Sequence, residues 1–437
     1  MPTIHRRISA VAGVAVMAAL ATTAGTGIGT ASAAPHPAPR QSVEYFTEPG
    51  GHPHHRTVPA SPTPPRQLVR PGGKALKGDG AVTSIVDNGP IGSKLDVVFI
   101  GDGYTAGQQQ AFHDAVRTKW AKMSAVEPYA SYKNLFNVWA VDAVSQDSGV
   151  SGDPAQGVVK NTALNSAFFC DGVERLLCVD TGKVETYAAK APAADLVVVL
   201  ANSTKYGGAG YNDVKSQVGY DGIATASSNN DKSDQVAVHE TGHSLGKLAD
   251  EYQYDGYGTY GGAEPWETNI TKSATGAKWS RWAGQTSPDG GTVGAYEGGG
   301  YYPKGIYRPT ENSIMRSLGR EFNLPGREAM IAGFYRHASV IAPADGTTGN
   351  GDRVGRNARI AVREGAPATT SLYWYVDGHE VSWARNRTAV TPRTLGVPAD
   401  GGTHWVTAWA LDQNTAVRDP AVAKTMRTAL RWQVSGN

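Results

Sequence analysis

The chain has 437 residues, with 41 Lys and Arg against 39 Asp and Glu and a formal net charge of +2. This near-neutral balance, without a basic stripe or tail, argues against a nucleic-acid-binding protein. A hydrophobic content of 40% excludes a disordered chain, and the lack of a long apolar run after residue 33 argues against a membrane-spanning protein, which leaves a soluble globular chain with room for two or three domains.

The first 33 residues have the three-part pattern of a secretory signal peptide. A basic stretch at residues 5–7 precedes a small-apolar run from Ile8 to about Ala24, and small residues at 31–33 form a cleavage site. We predict cleavage before Ala34 and therefore a secreted, extracellular protein with no membrane association after cleavage. An uncleaved membrane anchor is the alternative, which the short, Ala- and Gly-rich run disfavours.

Residues 34–90 form a Pro/His-rich N-terminal segment. The high density of Pro, Gly and His between residues 34 and 80 is unsuited to a hydrophobic core, so we expect mostly extended or disordered chain. Its histidines at 52, 54 and 55 could capture a metal, but a solvated linker is the favoured interpretation. A propeptide that is removed later is equally compatible with this composition.

Residues 91–340 carry the signals of a mixed α/β domain. Order is expected from about Leu95, and the apolar runs at 95–100, 136–141 and 194–200 predict buried strands. Residues 106–123 predict a helix, because their large apolar side chains recur at helical spacing. Strands that alternate with helices indicate a mixed or parallel sheet with helices on both faces.

The chain has two cysteines, Cys170 and Cys178. In an exported protein this pair predicts one local disulfide. Metal binding by the two thiols is disfavoured because no second Cys or His pair lies nearby. We interpret the bond as structural.

The stretch His239-Glu240-Thr-Gly-His243 contains the candidate metal-binding and catalytic residues. Two histidines four residues apart project from one face of a helix and can bind one Zn²⁺. Glu240 follows the first ligand, where its carboxylate can reach a metal-bound water without binding the metal, which suits a general base. The alternative, a core helix with incidental histidines, fits less well because valines and Leu245 give the pair the apolar surroundings of a catalytic metal.

A catalytic zinc needs a third protein ligand and an open position for water. If the helix continued past Gly246, Asp250 would lie about 10 Å further along the axis than His243. A left-handed helix end at Gly246 would let the chain fold back and bring a carboxylate to the metal. We favour Asp250 as the third ligand, with Glu251 or a residue further downstream as alternatives.

The sequence resembles the metzincin clan of zinc endopeptidases and, more narrowly, the secreted bacterial IgA-peptidase-type metallopeptidases. The resemblance spans about 95–335 and implies a metzincin-like fold, one catalytic zinc and a Met-turn at Met315 beneath the metal. It rests on the zinc-helix pattern together with five further motifs: Val97–Tyr104, Asn202–Gly210, Leu248–Tyr252, Tyr296–Tyr302 and Gly305–Pro309.

The chain departs from the clan pattern in three ways. The usual third-ligand position is Ala249, the position of a common Met-turn tyrosine is Ser317, and Ser313 stands where relatives often carry cysteine. The second departure leaves open which side chain assists the oxyanion. The candidates are Arg316, Tyr302, Tyr307 and His337.

Residues 341–437 differ in sequence pattern from the residues before them. Short aromatic or β-branched stretches at 358–362, 371–376, 389–390 and 404–410 are separated by turn signals. This pattern predicts a small β-sandwich (Ig-like) module.

The sequence thus predicts a monomeric, secreted zinc metalloendopeptidase that acts on protein or peptide substrates. The fold class is α/β (α+β), a metzincin-like catalytic domain with a mixed sheet and a zinc-binding helix, followed by a C-terminal β-sandwich. The main alternative is a non-catalytic extracellular binding protein with a degenerate or structural zinc site. A serine hydrolase is disfavoured, because no Gly-x-Ser-x-Gly elbow occurs.

Overall fold

The computed structural model of the protein describes residues 40–49, 51–60 and 76–436. The predicted signal peptide and its cleavage site lie outside the described residues, as does part of the predicted segment 34–90. No helix within the described ranges is long and apolar enough to cross a membrane.

An eight-stranded mixed sheet forms the framework of the site. Its strands follow the order β2-β1-β7-β8-β6-β4-β5-β3. The central strands β5, β4, β6 and β8 are parallel, whereas β7, β1, β2 and β3 join antiparallel. The strands are β1 (Arg40–Phe46), β2 (Pro53–Pro59), β3 (Val82–Val86), β4 (Leu95–Asp102), β5 (Phe136–Val141), β6 (Leu196–Ala201), β7 (Gly208–Tyr211) and β8 (Ile223–Ser227).

Helices cover both faces of this sheet, because its central strands are apolar throughout. Alternate residues of β4 point to opposite faces: Val97 and Phe99 belong to one hydrophobic core, and Val98 and Ile100 to another. The helices are α1 (Gln109–Met123), α2 (Tyr129–Tyr132), α3 (Thr181–Ala188), α4 (Asp234–Ser244), α5 (Leu324–His337), α6 (Pro392–Leu395) and α7 (Pro420–Thr425). Helices α1, α4 and α5 contribute to the first core and α3 to the second.

The N-terminal segment differs from the sequence expectation. Order was expected from Leu95, but β1 and β2 form a hairpin well before it. Val43, Tyr45 and Phe46 of β1 are buried. The average composition of a Pro/His-rich segment does not reveal a short strand within it. The hairpin packs against strands that follow much later in the chain.

Cys170 and Cys178 form a disulfide, which confirms the predicted bond. Cys178 is buried beside Val179 and Leu176, in the core that covers the α3 face of the sheet. The bond therefore fixes a loop next to the framework of the site.

A second, smaller hairpin lies beside the site. Strands β9 (Tyr296–Gly299) and β10 (Tyr302–Arg308) pair antiparallel. Isolated bridges connect Gln253 to Tyr301 and Thr259 to Lys304. This hairpin therefore holds the chain that follows Asp250 in place.

The residues after 340 form two further sheets, with the orders β11-β13-β16 and β12-β18-β17-β14-β15. Trp374 and Trp432, both fully buried, stack with ring centroids 6.0 Å apart. The predicted domain boundaries, including that at residue 341, remain predictions. The strands are β11 (Ile341–Pro343), β12 (Asn350–Gly355), β13 (Ile360–Glu364), β14 (Thr370–Val376), β15 (His379–Glu380), β16 (Ala389–Val390), β17 (Thr403–Asp412) and β18 (Arg427–Ser435).

Candidate metal centre

Helix α4 carries His239, Glu240 and His243 next to strand β7. The helix ends at Ser244, and the left-handed residue beyond it is Lys247 (φ 50°), not Gly246 as the sequence suggested. Gly246 is needed for a different reason: a Cβ there would lie 2.7 Å from the carbonyl oxygen of Gly242. The turn after α4 brings the chain back towards the histidines.

Both histidines are oriented by backbone carbonyls. The Nδ1 of His239 lies 2.8 Å from the carbonyl oxygen of Ile314, and the Nδ1 of His243 lies 2.7 Å from that of Leu248. A carbonyl only accepts, so each Nδ1 carries a proton, and in the neutral imidazole each Nε2 presents a lone pair. The two Nε2 atoms face each other at 3.0 Å.

Two carboxylates complete a group of four potential metal ligands. Glu44 and Asp250 join His239 and His243, and the four ligand atoms all lie within 4.8 Å of one another. The Nε2 of His239 is 3.2 Å from Glu44 Oε1 and 3.3 Å from Asp250 Oδ1. The Nε2 of His243 is 3.0 Å from Glu44 Oε2 and 3.3 Å from the same Asp250 oxygen.

The chemistry of this group fits a bound cation. Lone pairs and carboxylate oxygens face each other with no donor between them, and Asp250 Oδ1 and Glu44 Oε2 are buried without a hydrogen-bond partner. Tetrahedral zinc with bonds of ~2.0–2.1 Å separates its ligand atoms by about 3.3 Å. The observed separations of 3.0–3.3 Å agree with that spacing.

Asp250 and Glu251 have different environments although both are buried. The other oxygen of Asp250 accepts a 2.8 Å hydrogen bond from the Tyr301 hydroxyl. Glu251 accepts hydrogen bonds from Ser313, Asn269 and Asn323, and burial raises its pKa. The structure therefore brings Asp250, and not Glu251, to the histidines.

Glu240 lies directly beneath β7. Its Oε2 accepts a 3.1 Å hydrogen bond from the Asn212 amide, and its Oε1 is buried without a partner. A Cβ at Gly210 would lie only 1.6 Å from Oε2, so glycine is required there. Burial and the negative charge of Glu44 raise the pKa of Glu240 to about 8. A carboxyl with such a pKa can take up and release a proton near neutral pH.

The histidines and carboxylates polarise each other. Burial disfavours charge on His239, but Glu44 and Asp250 outweigh it and raise the pKa of His239 to about 10. Against the same effect of burial, the two carboxylates hold the pKa of His243 well above its usual value, and the histidines hold that of Asp250 well below. The two carboxylates thus favour positive charge at the Nε2 positions, which a bound cation would supply in place of the protons.

Met315 lies under α4. A Cβ at Gly242 would come 2.4 Å from its sulfur, so the thioether rests against that glycine. Its carbonyl accepts a 2.8 Å hydrogen bond from the Glu251 amide, and the preceding carbonyl, of Ile314, orients His239. The segment predicted to be a Met-turn therefore contacts both parts of the centre.

The four oxyanion candidates have different positions. Tyr302 lines the cavity beside the centre. The Arg316 guanidinium donates to the Glu251 carbonyl at 3.4 Å, and the Tyr307 backbone pairs with Thr271. His337 lies between Asp195 and Asp221, 3.0 Å from each. Among the described cavity-lining residues, only Tyr302 of these four appears.

A cavity of about 980 Å³ opens beside the centre. Glu44, His243 and Asp250 reach its wall, as do aromatic side chains of the loop at 260–266 and the β9–β10 hairpin. Trp266 is 71% exposed. Such a half-open, partly apolar space can accommodate a peptide.

Sequence reasoning missed Glu44, Asn212 and Tyr301. Glu44 lies 195 residues before His239, in a segment without a metal-binding motif. The β-branched and aromatic residues around it are typical of a strand and were the available signal. Nothing in the sequence indicated that this strand would pair with β7.

The sequence model of the IgA Peptidase M64 family matches residues 83–290 and 285–334, more than half of the chain. The matched ranges contain α4, Asp250 and Met315, whereas Glu44 lies before them. No curated protein matches the chain significantly.

Proposed function

We propose that this chain is a zinc-dependent endopeptidase. The premise is that it belongs to the IgA peptidase M64 family and is therefore a metallopeptidase that acts on protein or peptide substrates. The observation that carries this proposal is the group of four ligand atoms within 4.8 Å on and around α4. The general base proposed for the reaction, Glu240, is the next residue after His239 on the same helix.

His239, His243 and Asp250 are the proposed resident ligands. Two neutral imidazoles and a carboxylate are a ligand set of catalytic zinc sites. When bound, zinc would lower the pKa of a water molecule and polarise the substrate carbonyl. The carbonyls of Ile314 and Leu248 keep both Nε2 lone pairs aimed at the ion, and Tyr301 holds the remaining oxygen of Asp250.

Glu240 moves the proton. Its unpartnered Oε1 accepts a proton from the attacking water, and the same oxygen donates it to the leaving amine. The raised pKa supports both transfers, while Asn212 fixes the other oxygen. Of the predicted oxyanion donors, Tyr302 is the one that we propose to reach the substrate, since it lines the cavity.

The proposal includes export. The signal-peptide pattern of the first 33 residues and the Cys170–Cys178 disulfide both support an extracellular location. The alternative, a binding protein with a structural metal, predicts zinc without hydrolysis. Activity lost to EDTA and restored by zinc would therefore separate the two.

The test uses Glu240→Gln, which keeps the shape of the side chain and removes the base. We expect protein recovered from the medium of an exporting host to hydrolyse casein, and Glu240→Gln to retain one zinc but lose at least about 1,000-fold in rate. Glu48→Gln, an exposed glutamate, is the matched control. Equal rates for Glu240→Gln and wild type would refute the mechanism, and zinc retained by His243→Ala would refute the ligand assignment.

A further inference from the structure

The hairpin of β1 and β2 (residues 40–59), here called the N-terminal hairpin, lies against the metal centre. β1 pairs antiparallel with β7 at Glu44 and Gly210. The ring of Phe46 contacts that of His239 edge-on, with centroids 5.0 Å apart. The strand thus runs directly over the proposed ligands.

Among the described hydrogen bonds and ion pairs, the Glu44 side chain pairs only with the two histidines. Its carboxylate is buried and faces the Nε2 atoms of His239 and His243 at 3.2 and 3.0 Å. A catalytic zinc has three protein ligands and keeps a further position for water, whereas four protein ligands are typical of a closed site. With Asp250 present, Glu44 is the fourth.

The hairpin also pairs with the strand that contacts the proposed base. Gly210, which pairs with Glu44, lies against the carboxylate of Glu240. Glu240 is 1% exposed and is not among the described residues that line the cavity. β1 therefore pairs with the strand residue that lies against Glu240.

We propose that Glu44 is the fourth metal ligand of a latent form, and that the N-terminal hairpin must leave β7 before the enzyme can hydrolyse peptides. This inference rests on the proposed function, because latency has meaning only for a catalytic centre. It assigns the hairpin the role of a built-in inhibitor in which one carboxylate takes the place of water.

The sheet order allows such a departure. Among the described strands, the hairpin joins the sheet only through the β1–β7 pair, and β2 is the outer strand. The next strand along the chain, β3, lies at the opposite edge of the sheet. A cut between β2 and β3 would therefore free the hairpin without dividing any other described strand of this sheet.

Polar contacts connect the hairpin to the loop that follows Asp250 and to Arg316. The Tyr254 hydroxyl donates to the Pro53 carbonyl at 2.8 Å, and His55 lies 2.9 Å from the Tyr252 hydroxyl. His52 hydrogen-bonds the Arg316 carbonyl at 2.9 Å. Each of these bonds joins groups that can bond to water instead wherever the departing hairpin exposes them.

The experiment compares Glu44→Ala with Glu48→Ala in the full chain without its first 33 residues, purified from a host that does not process it. Glu48 is exposed on the same hairpin. We expect Glu44→Ala to raise kcat/KM on a fluorogenic peptide library at least about tenfold over wild type, because loss of the Glu44–metal bond opens a water position and weakens the docking of the hairpin on β7. Glu48→Ala should equal wild type.

A second measurement does not depend on hydrolysis. Each variant is made with Glu240→Gln, loaded with Co²⁺ and titrated with acetohydroxamic acid, with the visible absorption band as the readout. Glu44→Ala should shift the band before any ligand is added and bind acetohydroxamic acid at least about tenfold more tightly than the Glu44-containing protein.

The outcomes separate the two proposals. Equal and measurable hydrolysis by wild type and Glu44→Ala, or equal acetohydroxamate affinity with and without Glu44, would overturn latency and leave the peptidase proposal intact. Loss of the metal from Glu44→Ala would also overturn latency, since Glu44 would then be a permanent ligand. A shifted band and tighter binding in the Glu240→Gln proteins, together with no hydrolysis by Glu44→Ala itself, would support Glu44 as the ligand that blocks the metal. The same result would refute the peptidase proposal.

Discussion

At the scale of single residues, the adjacent carboxylates of Asp250 and Glu251 have different roles. Asp250 faces the histidines with an unpartnered oxygen, whereas Glu251 accepts bonds from Ser313 and two asparagines. Their backbone places consecutive side chains on opposite sides of the chain. One carboxylate is therefore free for a cation, and the other fastens the Met315 segment to the chain after α4.

We expect Asp250→Ala and Glu251→Ala to separate these roles. Asp250→Ala should lower zinc affinity by at least about 100-fold, because it removes a direct ligand. Glu251→Ala should retain one zinc but lose about 2–4 kcal/mol of stability, since it leaves three buried donors unpaired. Zinc titration and urea unfolding measure the two effects. Loss of zinc from Glu251→Ala with normal zinc binding by Asp250→Ala would reverse the assignment.

The sequence predicted the parts of the centre that one helix carries. His239, Glu240 and His243 are four residues apart or fewer, so helical geometry alone relates them. The choice between Asp250 and Glu251 depended on a turn, and the structure shows that its left-handed residue is Lys247. Glu44 could not be related to α4, because no local rule pairs β1 with β7.

At the scale of elements, the strongly patterned segments were predicted well. β5 has the predicted bounds, β4 and β6 overlap the predicted runs, and α1 falls within the predicted helix. Each is buried on an apolar face that its own sequence specifies. β1 and β2 were missed because their burial depends on strands that follow more than 100 residues later.

Helix α5 is fastened to the sheet by a titratable contact. His337, at its C-terminal end, lies 3.0 Å from both Asp195 and Asp221, and Asp221 also pairs with Lys247 and Arg336. Burial lowers the pKa of His337, but the two carboxylates prevail and raise it to about 9. The folded protein therefore binds this proton more tightly than the unfolded chain.

This contact predicts a pH-dependent contribution to stability. Since the pKa of His337 is raised, its contribution is complete below about pH 6.5, the unfolded value, and is lost as pH rises through about 9. We expect His337→Gln to be about 1–2 kcal/mol less stable than wild type at pH 6 and nearly equal at pH 10. Urea unfolding of both proteins across this range measures it, and a constant difference would contradict the assignment.

At the scale of the whole molecule, the C-terminal sheets share a core with the part that carries the centre. The carboxylate of Asp412 in β17 accepts hydrogen bonds of 2.6 and 2.9 Å from the hydroxyls of Tyr132 and Tyr335. Trp374 and Trp432 belong to the same hydrophobic core as α1 and α5 residues. The C-terminal residues therefore pack in the same hydrophobic core as the buried apolar side chains of α4.

We expect Asp412→Ala to destabilise both parts together. It leaves two buried hydroxyls without an acceptor, which costs about 2–4 kcal/mol, whereas Tyr335→Phe should cost only about 1 kcal/mol. Differential scanning calorimetry should show one transition that moves to lower temperature in this graded order. Two separate transitions in the wild type would contradict the shared core.

The register of the N-terminal hairpin has a consequence for how the protein folds. Glu44 meets Gly210, so this contact closes a loop of about 165 residues, which is slow compared with the local pairing of β4, β5 and α1. The parallel strands and α4 can assemble before the hairpin docks. The hairpin precedes the other described strands in the chain but is thus expected to dock last. Refolding followed at Trp120 should accordingly be faster than refolding followed at the metal centre.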